Sequence, residues 1–222
     1  MGKPETETDE QMIAIIDYKA GNLKSVARAL KKLGFPCCIS QDRQEILGAD
    51  RIIFPGVGAA GKAIDDLRGL GLDEVIMNAF EAGKPILGIC LGTQIIFDKS
   101  EENDAECLGL IKGDVRLFPN PLIAAENECL KIPHMGWNGV KLIKRHPVLD
   151  GILPADEFYF VHSFYPSPAS VEFVIGITDY GIEFPSVIGC KNLIAMQFHP
   201  EKSGPPGLRI LNNFCKWDGR YA

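Results

Sequence analysis

Three short runs in the amino-terminal half, Met12-Ile-Ala-Ile-Ile-Asp17, Arg51-Ile-Ile-Phe-Pro55 and Pro85-Ile-Leu-Gly-Ile89, are apolar along nearly their whole length rather than at alternate positions. A strand of that kind is buried on both faces, which is the condition of strands in parallel sheets. Helical spacing fills the gaps between the runs. Gly21-Asn22 opens a segment in which Leu23, Val26, Ala27, Leu30 and Leu33 share one face until Gly34 stops it. An apolar stretch from Pro36 to Ser40 and a short polar helix near Asp42 to Gly48 follow, and after the second run two helical segments span Ala60 to Gly83 with a break at Gly69 and Gly71. This rhythm predicts an α/β fold with a mainly parallel central sheet flanked by helices.

The second half has a different texture. Val115 to Phe118, Gly139 to Ile143, Glu157 to Val161, Val171 to Ile177, Ser186 to Cys190 and Leu193 to Phe198 are strand candidates between Pro- and Gly-rich turns, and a closing helix is expected from about Pro206 to Trp217. Antiparallel strands added to the parallel core are the expected result. Residues 1–11 carry Lys3 against Glu5, Glu7, Asp9 and Glu10 and are expected to be a flexible acidic tail, leaving 12–222 as one domain.

Composition narrows the function. Lys and Arg number 23 against 29 Asp and Glu, a net charge of −6, with no basic run suited to a phosphate backbone, so nucleic acid is an unexpected partner. No apolar run approaches the roughly 18 to 20 residues of a membrane span, and the acidic start does not resemble a signal peptide, so a cytoplasmic protein is expected. Seven cysteines with no CxxC pair fit neither a disulfide framework nor a zinc site, so reduced thiols and no metal are expected.

Gly88-Ile-Cys90-Leu-Gly92 has the form of a nucleophile elbow between a strand and the helix-forming segment Thr93 to Phe97. A core cysteine between closely packed glycines has the same spacing. Gln197-Phe-His199-Pro-Glu201 follows an apolar strand and offers a base, His199, beside an orienting acid, Glu201, although a surface hydrogen bond is the commoner fate of such a pair. The order of nucleophile, histidine, then acid differs from that of the α/β-hydrolases. Phe54-Pro-Gly56-Val57-Gly58 is a turn at a strand's carboxyl end, where backbone N–H groups can face an oxyanion, or it is a plain tight turn. No Walker A sequence or dinucleotide fingerprint occurs, and no cofactor is expected.

Taken together, these three features resemble the class I glutamine amidotransferases. The resemblance extends over nearly the whole chain. Ile16-Asp-Tyr-Lys-Ala-Gly-Asn-Leu23, Pro55-Gly-Val-Gly58, Pro133-His-Met-Gly-Trp-Asn138, Tyr159-Phe-Val-His-Ser163 and Gln197-Phe-His-Pro-Glu-Lys-Ser203 are similar to the glutaminase subunits of imidazole glycerol phosphate synthases. Lys19 stands where those subunits usually carry glycine, and Thr93 where they carry methionine. The resemblance implies a Cys90, His199, Glu201 triad and an oxyanion hole from Val57, Gly58 and Leu91. It implies that Gly56, Gln94, Glu102, Ser163 and Phe164 help hold the glutamine, and that His134, Trp137 and Lys202 face a (βα)8-barrel synthase in a heterodimer. His146 and His162 are expected to be structural. A paralogue serving another acceptor, such as a sugar, or a non-catalytic module on the same fold are the competing readings.

Overall fold

The computed structural model describes residues 11–19, 21–123 and 129–221, so the expected acidic tail lies outside the described residues except for Gln11. β1 (Ile13–Ile16), β2 (Cys37–Ser40), β3 (Arg51–Gly56) and β4 (Ile86–Cys90) pair in parallel in the order β4-β3-β1-β2. Beyond β4 the sheet continues in parallel with Leu193–Met196, and then in antiparallel fashion with Glu183–Cys190, Val174–Asp179 and Lys141–Leu142. A strand from the far end of the chain therefore occupies the middle of the sheet.

The helices are α1 (Leu23–Lys32), α2 (Arg43–Gly48), α3 (Ala60–Leu70), α4 (Leu72–Glu81), α5 (Leu91–Gln94) and α6 (Gly204–Lys216). β1 shows how they are distributed. Its side chains alternate, so Ile13 and Ile15 join Val26 and Leu30 of α1 and Leu211 and Phe214 of α6 on one face. Ala14 and Ile16 join Ile64 and Leu67 of α3 and Val75 and Ile76 of α4 on the other. All four β1 residues are buried, and each fully buried isoleucine contributes about 1.5–3 kcal/mol relative to exposure.

The expected parallel core with antiparallel additions is thus present, with three local differences. Gly113–Leu117 is a strand, but it pairs with Phe164–Pro168 and Lys99–Ser100 in a separate four-stranded sheet. Only Val115 of that strand is buried, between exposed Asp114 and Arg116, so it cannot serve where both faces are covered. Val171–Phe173 is a 3-10 turn whose cap Ser170 accepts from Glu172 N–H, and the strand starts at Val174. The expected strand at Gly139 to Ile143 is divided between His134–Gly139, paired with Glu157–His162 outside the main sheet, and Lys141–Leu142 within it. Among the described residues no helix is long and apolar enough to cross a membrane.

Candidate active site

β4 ends at Cys90 with φ 54° and ψ −108°, a backbone conformation that non-glycine residues seldom adopt. Holding it costs about 1–3 kcal/mol and turns the thiol out of the sheet. Its flanking glycines are required by space. A Cβ at Gly92 would lie 1.9 Å from the Phe54 carbonyl oxygen, and one at Gly88 would lie 2.9 Å from Ala195 Cβ. The helix that follows lasts a single turn because Ile95, Ile96 and Phe97 leave it to enter the core. Thr93 fits here because its Oγ1 donates to the Met196 carbonyl at 2.6 Å.

His199 stands just past the strand next to β4. Its Nδ1 is 2.8 Å from Glu201 Oε1, and the two side chains are 1% and 0% exposed. Asn22 Nδ2 donates to the same carboxylate oxygen at 2.5 Å. Burial pushes the imidazole pKa down, but the adjoining Cys90 and Glu201 outweigh it and raise the value to about 9. His199 Nε2, the ring atom left over, has no hydrogen-bond partner among the described residues, and both His199 and Cys90 line the same cavity.

That cavity measures about 410 Å³ and is bounded by Val57, Gly58, Cys90, Leu91, Gln94, Glu102, Ser163, Phe164 and His199, among others. A larger hollow of about 540 Å³ near Asn138 and Leu153 is lined by no cysteine, serine, threonine or histidine. Of the fourteen residues expected at the site or its docking face, nine line this cavity and Glu201 stands behind His199. Gly56 lies directly behind Val57 and pairs with Cys90 across β3 and β4 without bounding the cavity. Gln94 Nε2 donates to the Phe164 carbonyl at 3.0 Å and to Gln197 Oε1 at 3.1 Å, which fixes its amide against the pocket floor. Glu102 Oε2 accepts from Ala60 N–H at 2.8 Å, and burial raises its carboxyl pKa. The start of α3, just past Val57 and Gly58, is thereby tied to Glu102, which also lines the cavity. Lys19 has the left-handed φ of 66° that a glycine would take freely, and its N–H donates to Asp17 Oδ1 at 2.9 Å.

The three residues expected at a docking face divide. Trp137 is 54% exposed and meets Tyr159 edge-on, and Lys202 Nζ stands 5.8 Å from the same Tyr159 ring. His134 is 2% exposed, because it points into the protein and stacks between Phe160 and Tyr180. Its Nδ1 is 2.9 Å from His162 Nε2, and His162 Nδ1 is 2.8 Å from the Phe164 carbonyl that Gln94 also binds. Instead of standing apart as a structural residue, His162 lines the cavity. Asn22, Pro133, Val161 and Gln197 border the cavity or the groups on it without being expected there on sequence grounds, and His162 is expected only to be structural. Each lies inside a stretch similar to the family's.

The family description "Glutamine amidotransferase class-I" matches residues 14–217. A curated relative from Nitratidesulfovibrio vulgaris (strain DP4), "Imidazole glycerol phosphate synthase subunit HisH", is 53% identical over 209 residues, which cover 93% of this chain and 96% of the relative. The HisH subunit of Dehalococcoides mccartyi (strain CBDB1) is 46% identical over 206 residues, covering 92% of this chain and 97% of the relative. Among solved structures, PurLQS from Thermotoga maritima superposes with a TM-score of 0.68 at 17% identity, covering 93% of this chain and 98% of that one. The glutaminase domain of Trypanosoma brucei CTPS does so with a TM-score of 0.63 at 18% identity and 95% coverage of each chain, and these two likenesses concern the fold.

Proposed function

Since the chain belongs to the class-I glutamine amidotransferases, in the branch of imidazole glycerol phosphate synthase glutaminase subunits, we infer that Cys90, His199 and Glu201 carry out its glutamine hydrolysis and that its ammonia passes to a synthase subunit. The chain is the glutaminase of histidine biosynthesis. The observation that carries the assignment of roles is Cys90, held at φ 54° on the rim of a cavity it shares with His199.

His199 takes the Cys90 thiol proton, and Glu201, itself held by Asn22, keeps the imidazole oriented and stabilises its charged form. The thiolate attacks the side-chain amide carbon of glutamine. Backbone N–H groups of Leu91 and of the Val57–Gly58 turn receive the developing oxyanion, each worth on the order of 3 kcal/mol when preorganised. Return of the proton from His199 to the amide nitrogen expels ammonia and leaves a γ-glutamyl thioester. Water, deprotonated by the same imidazole, then releases glutamate and restores the thiol. The Glu102 carboxylate offers an acceptor for the substrate's ammonium group, since among the described residues only its Oε2 is engaged, by Ala60 N–H, while Gln94, Ser163 and the Phe164 segment offer contacts to the rest of it.

Ammonia released into bulk water becomes a non-nucleophilic ammonium ion, so its consumer must dock against the site. Trp137, Tyr159 and Lys202 form the exposed aromatic and cationic patch suited to that role, opposite a (βα)8-barrel synthase in a cytoplasmic heterodimer. Such a partner supplies the lyase chemistry that completes the reaction. Cys90→Ser abolishes glutamine-dependent synthesis by the complex while synthesis from added ammonium salt persists. An electrophilic glutamine analogue modifies Cys90 and spares the other six cysteines, as read by peptide mass spectrometry. Residual glutaminase turnover in the variant would remove Cys90 from its role.

A further inference from the structure

Tyr18 follows β1, on the side of β3 away from β4, so the Gly56 end of β3 lies between Tyr18 and Cys90. The tyrosine is 1% exposed, its ring packs against Phe54 with centroids 5.3 Å apart, and its hydroxyl has no hydrogen-bond partner among the described residues. A buried hydroxyl without a partner is costly and uncommon, and it calls for an explanation. Burial, and after it the nearby Cys90, push the phenol far above its ordinary pKa, so the group remains a proton donor.

The hydroxyl rests against the oxyanion turn itself. A Cβ built on Gly56 would lie 1.9 Å from the Tyr18 oxygen, so glycine at 56 is what lets the phenol come so close. On the other side of the turn, Val57 and Gly58 border the cavity, and Gly58 has a φ of 111° that glycine alone tolerates comfortably. A peptide's N–H and C=O point in opposite directions. When the Gly56–Val57 peptide turns its N–H toward the cavity to receive an oxyanion, its carbonyl must turn away from Cys90, toward the side of β3 on which Tyr18 stands. The hydroxyl has no acceptor in this structure, so the carbonyl is not in that position here.

We propose that Tyr18 is a positioning residue for the oxyanion turn: its hydroxyl is the latch that binds the Gly56 carbonyl when the Gly56–Val57 peptide presents its N–H to the glutamine-derived oxyanion. The latch rests on the glutaminase reading above. It gives that peptide two states, one with the phenol unsatisfied and one with it bonded, and so biases the turn toward the competent state once glutamine and the synthase are in place. Glutamine binding is left to the far wall of the cavity, so the latch acts on turnover.

The test is Tyr18→Phe, which keeps the ring and deletes the hydroxyl, studied in the complex with the synthase subunit alongside wild type. The expected result is a kcat for glutamine hydrolysis about 10-fold lower, with the KM for glutamine and the rate of Cys90 alkylation by iodoacetamide each within twofold. Synthesis from ammonium salt is unchanged, and the melting temperature is equal or higher, because an unsatisfied buried group has been removed. A kcat within twofold of wild type would show the hydroxyl to be idle and overturn the latch. So would a parallel fall in Cys90 alkylation, which would place Tyr18 on the thiol, or a lowered melting temperature accompanying the loss, which would make it structural. Failure of the wild-type complex itself to hydrolyse glutamine overturns the glutaminase reading, and is thereby distinguished from failure of the latch alone.

Discussion

Glu201→Gln isolates the charge behind the proposed base. His199 stands at a pKa of about 9 against an ordinary 6.5, which corresponds to about 3 kcal/mol in favour of the imidazolium. Burial opposes that value, and Cys90 and Glu201 together supply it. Glutamine keeps an oxygen able to accept from Nδ1 and from Asn22 Nδ2, so the 2.8 Å and 2.5 Å contacts can persist without the charge. Losing the Glu201 charge removes part of that support while burial remains, so the imidazole pKa falls, and each unit of fall corresponds to roughly tenfold. The new amide nitrogen takes the place of Oε2, a buried atom that already has no hydrogen-bond partner among the described residues, so one unsatisfied group replaces another. The expected outcome is a kcat/KM for glutamine about 10- to 30-fold lower, with the alkaline limb of its pH profile, set by loss of the imidazolium that returns its proton to the amide nitrogen, moved from about 9 toward 6.5. His199→Asn, which removes the proton carrier, loses on the order of 10³-fold or more. The measurement is glutaminase turnover of the assembled complex from pH 6 to 10. An alkaline limb that stays in place in Glu201→Gln, or equal losses in the two variants, would refute the reasoning.

Two further outcomes are expected. Burial lowers the pKa values of His134 and His146 to about 4 and, with help from the charges of His134 and His199, that of His162 to about 3. A depressed value means that the unfolded chain takes up these protons first, so stability is fully present above about 6.5 and is lost as the pH falls toward 4, by up to about 4 kcal/mol per pH unit for three histidines. Urea unfolding at pH 7, 6 and 5 checks this, and equal free energies at all three would contradict it. Trp137→Ala weakens docking to the synthase by on the order of 10²-fold, as an exposed aromatic anchor does, and Lys202→Ala reduces the stimulation of glutaminase activity by the synthase while leaving Cys90 alkylation unchanged. Calorimetric titration and coupled turnover read the two effects, and unaltered affinity in Trp137→Ala would move the docking face elsewhere.

The parts of this fold legible in the sequence are those in which burial dictates pattern. β1, β3 and β4 are covered on both faces and show it as continuous apolar runs, and the glycines at 88 and 92 mark an elbow because no side chain fits there. A strand at Val115 to Phe118 is legible in the sequence, but not that it spans Gly113–Leu117 within a second sheet, since one buried valine does not reveal which neighbour covers it. His134 misled for a related reason. It sits two residues before exposed Met135's neighbour Gly136 in an alternating strand, and alternation alone does not say which face is inward; its ring turns to Phe160 and Tyr180 while Met135 and Trp137 face outward. Asn22 and Glu201 are 179 positions apart, and their hydrogen bond depends on the loop after β1 meeting the turn before α6, a long-range closeness that local spacing cannot encode.

The central place of Leu193–Met196 in the sheet sets the order in which this site can come into being during synthesis. A chain emerging from the ribosome can pair β1 to β4 and form the cysteine elbow while half of its length is still to be made. Its base does not yet exist. His199 reaches Cys90 only after the last strand has been inserted beside β4, and Glu201 is placed by the turn leading into the final helix. A prematurely terminated product therefore carries the proposed nucleophile without the proposed base that would activate it.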